Sequence, residues 1–125
     1  MPVEVNLLED NGVEILATGD VYGAEIIQAN EKIINDESLK NIKYKLIDKS
    51  ACTEYVVTAG EIEKVAELNH IFAQANPGIV VAIVESRTLQ FSLTGLWQAL
   101  VKKWGLKNKN FYTREAALEW LAAHI

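Results

Sequence analysis

The feature that most constrains this chain is the run Ile79-Val80-Val81-Ala82-Ile83-Val84, which follows Asn76-Pro77-Gly78 and contains no polar side chain. A strand with one wet face alternates apolar and polar residues, whereas a run without alternation has to be covered on both faces, as in a parallel sheet. It is far shorter than the roughly 18 apolar residues that a membrane span needs. The run is therefore expected as a buried parallel strand at the centre of a sheet, with no membrane span anywhere in the chain.

The rest of the chain reads around that strand. Val3, Val5 and Leu7 alternate with polar partners, Asn11-Gly12 offers the positive φ angles of a tight turn, and Val13, Ile15 and Ala17 alternate again, which predicts a β-hairpin. After Gly19-Asp20 the period changes: Tyr22, Ile26, Ile27, Asn30, Ile33 and Ile34 fall at helical spacing until the polar stretch Asn35 to Ser38. Tyr44, Leu46 and Ile47 predict a short strand ending at Asp48, followed by a polar segment Lys49 to Glu54 and an apolar patch Tyr55 to Val57. Thr58-Ala59-Gly60-Glu61 has the spacing of a capping box, in which hydroxyl and carboxylate satisfy each other's orphan amides, and the stripe Ile62, Val65, Ala66, Asn69, Phe72, Ala73 continues it as a helix.

Leu93, Leu96, Trp97, Leu100, Val101 and Trp104 mark a third helix, closed by Gly105. Phe111-Tyr112 is a brief strand, and Thr113 caps a last helix whose buried face is Ala117, Trp120, Leu121 and His124. The expectation is one α/β domain over residues 1–125 with the order ββαβαβαβα. Three right-handed crossovers impose parallel pairing, and the opening hairpin adds an antiparallel edge, giving a mixed five-stranded sheet.

Charge and motifs narrow the function. Seventeen acidic against 12 basic residues leave a formal charge of −5, which opposes the phosphate attraction behind most nucleic-acid affinity, so nucleic acid is not an expected partner. The densest basic spot, Lys102, Lys103, Lys107 and Lys109, reads as a solvated helix terminus. A single cysteine, Cys52, and a start without the order of a secretory signal lead to a cytoplasmic expectation. Neither common glycine-rich phosphate loop occurs, and His70 and His124 lack ligand neighbours, so no cofactor and no metal are expected. Cys52 and His70 do not read as a nucleophile and base, because His70 lies about three turns inside a helix.

Several residues in sequence order carry a family resemblance: Leu46-Ile47-Asp48 ending a strand, Thr53-Glu54-Tyr55 after it, Asn76-Pro77-Gly78 before Val81-Ala82-Ile83-Val84, and the closing Phe111 to Leu121. In this combination the chain resembles the SpoIIAA-like branch of the STAS superfamily, whose better-known members are anti-sigma factor antagonists. The resemblance implies a non-enzymatic regulatory module that works through protein–protein contacts, with a protein partner or a second copy of itself. Members with the switch carry Asp-Ser-Ser-Gly before the second helix, and the serine is phosphorylated. The matching stretch here is Val57-Thr58-Ala59-Gly60, so Thr58 stands at the acceptor position while Val57 and Ala59 depart from the pattern.

The candidate sites follow from these readings. Thr58 is a phospho-acceptor or anion contact, or simply a helix cap. Asp48, Ser50 and Glu54 after one strand, with Glu85 and Arg87 after the next, would line a ligand crevice where open α/β sheets bind. Leu89 and Phe91, with Trp97, are apolar residues placed to dock a second chain or a ligand. The alternative to a protein-binding module is a domain holding a small apolar ligand or lipid between the third helix and the sheet.

Overall fold

A computed structural model describes residues 2–86 and 94–125. The elements run β1 (Val3–Leu8), β2 (Gly12–Tyr22), α1 (Gly23–Asn35), β3 (Tyr44–Val56), α2 (Ala59–Ala75), β4 (Val80–Val84), α3 (Thr94–Lys103), β5 (Lys107–Phe111) and α4 (Arg114–His124). The sheet order is β1-β2-β3-β4-β5, with β1 antiparallel to β2 and every later pair parallel. Each crossover advances the sheet by one strand in the same direction. With a common right hand, the three crossover helices fall on one face, where α1 packs on α2 and α2 on α3. α4 follows the last strand and covers β3, β4 and β5 from the opposite side.

The apolar run at β4 does what its lack of alternation requires. Val81 and Ile83 join Ala17, Val21, Ile47, Val65 and Trp97 on the three-helix face, while Val80, Ala82 and Val84 join Leu46, Ala117 and Leu121 beneath α4. Its place is one strand from the expected one: β3 is the middle of the sheet, and β4 lies between β3 and β5.

Four local expectations are corrected. The hairpin's positive φ angles fall on Asp10 and Asn11, and Gly12 is already strand. Glycine is required at position 12 for another reason, since a Cβ there would lie 2.0 Å from Cζ of the Tyr44 ring. Gly19-Asp20 does not end β2, and β3 does not end at Asp48; the two strands continue side by side to Tyr22 and Val56. Two register shifts, each adding a residue on β3, break the period-two pattern in this stretch, so that it reads as a polar segment. Lys107 and Lys109 belong to the edge strand β5 instead of a helix terminus. His124 is exposed, and its ring lies 4.7 Å from that of Trp120, tilted by 36°.

Candidate functional site

The continuation of β2 and β3 beyond the sheet creates the most distinctive part of the surface. β4 pairs with β3 only as far as Val84↔Asp48, and β1 reaches β2 only up to the Thr18 amide, which donates to the Pro2 carbonyl. Past these points β2 and β3 form a two-stranded parallel ribbon. One side of it turns Val21 and Cys52 into the core. On the other side Thr53 Oγ1 donates to Asp20 Oδ1 at 2.8 Å, and the register partners Tyr22 and Val56 stand 52% and 48% exposed.

The ribbon ends at two helix N-termini. Thr58 Oγ1 accepts from the Glu61 amide at 3.2 Å and Glu61 Oε1 accepts from the Thr58 amide at 2.9 Å, completing the capping box. Glu25 Oε1 accepts from the Tyr22 amide at 3.0 Å in the same way on α1. The two termini touch, because a Cβ on Gly23 would fall 2.2 Å from the Glu61 carboxyl carbon. Thr58, Ala59 and Gly60 are exposed beside Val56.

The expected ligand crevice is divided by the sheet. Asp48 lies on the α4 side, where its Oδ1 accepts from the hydroxyl and amide of Ser50 at 2.6 and 3.0 Å and its Oδ2 from Arg114 Nη1 at 2.9 Å. Arg114 also donates to Glu14 Oε1, whose other oxygen accepts from Asn6 at 3.1 Å. Burial pushes the Asp48 carboxyl up, but the Ser50 and Arg114 hydrogen bonds outweigh it and hold the group below the ordinary carboxylate range. Glu85 lies across the sheet: its Oε2 is 3.3 Å from Lys49 Nζ, and its Oε1 accepts from Asn110, which in turn accepts from Gln98. Glu54 is exposed on the ribbon. Arg87, Leu89 and Phe91 lie outside the described residues, and Trp97 is buried in the core beside Val101.

Around Lys49 the chemistry is quiet. Burial lowers the Lys49 ammonium against the pull of Glu85, and it raises the Tyr55 phenol, whose ring lies 4.7 Å from Lys49 Nζ. Burial also pushes the Cys52 thiol up to about 11, which leaves it protonated and unreactive at neutral pH. Among the described residues no group of three His, Cys, Asp or Glu side chains is placed to hold a metal ion, and no helix is long and apolar enough to cross a membrane.

One ionic feature escaped the sequence reading. Lys45, 1% exposed, points from β3 between α1 and α2, and its amine donates to Oδ1 of Asn30 and, at 2.7 Å, to Oδ1 of Asn69. Both amides are held in that orientation by their own Nδ2 groups, which donate to the Ile26 and Val65 carbonyls at 2.9 and 2.8 Å. The Phe72 ring lies 5.7 Å away, and burial lowers the amine to about 7. The signal was present in sequence, as Asn30 and Asn69 each interrupt an apolar helical stripe.

A scan against protein-family models finds no match to this sequence, and neither does a search of curated proteins. The structure is similar to that of the anti-sigma factor antagonist SpoIIAA in its unphosphorylated form, with a TM-score of 0.60, 11% identity, and coverage of 96% of this chain and 97% of that one. It is also similar to an uncharacterized protein of the DUF3478 family with a SpoIIAA-like fold from Shewanella loihica, with a TM-score of 0.55, 20% identity, and coverage of 95% and 91%. The chain has the SpoIIAA-like fold that the resemblance implied.

Proposed function

We propose that this SpoIIAA-like domain is a non-enzymatic regulatory module of the cytoplasm that works by docking another protein on the end of its β2–β3 ribbon. The observation that carries the reading is the pair Tyr22 and Val56: register partners on adjacent strands, half exposed, and bordered by the exposed turn Thr58-Ala59-Gly60. Apolar side chains this large, clustered outside a complete core, mark a contact surface. The polar groups nearby are already paired, which suits binding better than catalysis.

Thr58 gives that surface a means of control. A phosphate on its hydroxyl would add about −1.5 to −2 charges beside the Glu61 carboxylate. Glu61 bonds the Thr58 amide and lies against Gly23. Repulsion would drive Glu61 out of the capping box and loosen the junction of the two helices beneath Tyr22 and Val56. The similarity to an anti-sigma factor antagonist with an unphosphorylated form supports this direction of reading.

The test is site-specific photo-crosslinking in the native cells, with the photoreactive residue at position 22, at position 56, and at the exposed control position Lys64. A discrete protein adduct from 22 and 56, absent from 64 and lost on Val56→Glu, is the expected result. Adducts indistinguishable from the control would refute the docking surface. Mass spectrometry of the same material decides the role of Thr58: phosphate on it supports the switch, and its absence under every growth condition reduces Thr58 to a cap.

A second reading, a small apolar ligand or lipid between α3 and the sheet, gains support in its lipid form from one observation: Trp97 Nε1 is buried with no hydrogen-bond partner among the described residues and could donate to a lipid oxygen. Native and denaturing mass spectrometry separates the readings, since a bound small molecule appears only in the first.

A further inference from the structure

The two edges of the sheet are built differently. β5 carries exposed Lys107 and Lys109, charges of the kind that discourage strand addition. β1 carries no lysine, and its Leu7 is 68% exposed, the highest value among the large apolar residues described. Its hydrogen-bonding pattern can be worked out. The Pro2 carbonyl accepts from the Thr18 amide at 2.8 Å, and antiparallel strands alternate the side to which successive residues turn their N–H and C=O. Glu4, Asn6 and Leu8 therefore face β2, and Val3, Val5 and Leu7 present unpaired backbone groups outward.

The geometry points to a second copy of this chain as the occupant of that edge, joined β1 to β1 around a two-fold axis through Val5. An axis perpendicular to the sheet keeps each side chain on its own face, so residues pair only with residues of like parity. Centring on Val5 sets Val5 opposite its own copy and Val3 opposite Leu7, so all outward groups meet as hydrogen-bonded pairs and Leu7 is covered by an apolar neighbour. Glu4 then faces Asn6, and no like charges oppose each other. The surface of α1 fits the same axis. α1 runs in the direction of β1, and the groove of about 490 Å³ between them is bordered along α1 by Glu25, Gln28 and Lys32. The rotation that centres Val5 brings Gln28 to its copy and each Glu25 to the other chain's Lys32, a self-complementary pattern of charge. Apart from Glu25, which also caps α1 beneath Tyr22, this interface uses residues separate from the ribbon end, so it stands whether or not that surface docks a partner.

Sedimentation equilibrium across micromolar to millimolar concentrations tests the proposal, with the expected result a reversible rise from the mass of one chain to that of two. Val5→Pro removes an outward N–H and leaves the β1–β2 ladder intact while also changing a side chain that packs on the core; it weakens association by about tenfold, as two lost hydrogen bonds imply. Leu7→Lys, at an exposed position, weakens it as well and keeps the test alive should Val5→Pro fail to fold by circular dichroism. Glu25→Lys and Lys32→Glu each weaken association by about threefold, and combining them restores it. A wild type that stays monomeric at millimolar concentration, or a dimer indifferent to these substitutions, overturns the proposal.

Discussion

Replacing Lys45 by methionine changes how stability depends on pH as well as stability itself. The amine titrates near pH 10.4 in an unfolded chain and near 7 in the folded protein, where burial disfavours its charge. Between those values the unfolded chain binds a proton that the folded chain does not, so stability rises with pH, at a slope approaching about 1.4 kcal/mol per pH unit. Integrated from about pH 6 to about pH 8.5, the Lys45 contribution is about 2 kcal/mol, with most of the gain above pH 7. Lys45→Met abolishes that rise. It also leaves the Asn69 carbonyl oxygen without a donor and the Asn30 oxygen with only the Asn69 amide at 3.4 Å, a cost of about 1–3 kcal/mol that does not vary with pH and displaces the curve without tilting it. Urea unfolding of both proteins at half-unit pH steps separates offset from slope, and Cys52 and Lys49, common to both, cancel in the difference. Parallel curves would refute the reasoning: the two amide oxygens and the Phe72 ring would then compensate the buried ammonium in full.

Three further outcomes are expected. Thr58→Ala removes one half of the α2 capping box and costs about 1 kcal/mol, seen as a fall of a few degrees in melting temperature. Arg114→Met strips the cation from two buried carboxylates and destabilises by about 2–4 kcal/mol at neutral pH. Arg114 helps to depress Asp48, and a depressed carboxylate stabilises above its unfolded value and loses that contribution on acidification, so the gap between variant and wild type narrows below about pH 4 in acid titrations. The Cys52 thiol, raised to about 11 by burial, resists a water-soluble disulfide reagent at pH 8 until denaturant is added; prompt labelling of native protein would contradict its placement.

The sequence makes the fold legible wherever one rule governs a segment. β4 has no alternation because both faces are covered, and α2 announces its start through Thr58 and Glu61 because the capping box is local. Gly105 ends α3 at φ +70°, as a left-handed helix end requires. Legibility fails where two rules overlap. Residues 49–56 of β3 carry two bulges, and each shifts the alternation by one, so a buried Cys52 and a part-buried Lys49 and Tyr55 sit at spacings that no single period fits. Without that strand there is no ribbon, and without the ribbon Tyr22 and Val56 look like ordinary members of a helix stripe and a loop.

The described residues of the candidate crevice are divided for a different reason, and it bears on function. Asp48, Ser50 and Glu85 share an edge of the sheet, but adjacent residues of a strand point to opposite faces, so proximity in sequence after a strand end does not place side chains in one pocket. Asp48 is turned to Arg114 and Glu14 under α4, and Glu85 to Lys49 and Asn110 under α3. Each carboxylate is held by a cation from another element: Arg114 ties β2, β3 and α4 together, and Lys49 ties β3 to the end of β4. Polar residues that would serve a ligand are thus committed to fastening the elements around the sheet. Among the described residues large apolar side chains stand exposed at several places, and two of these are the ribbon end at Tyr22 and Val56 and the β1 edge at Leu7. Substitution at Tyr22, Val56 or Leu7 leaves the buried core in place, so tests of the proposed contacts stay separate from loss of the fold.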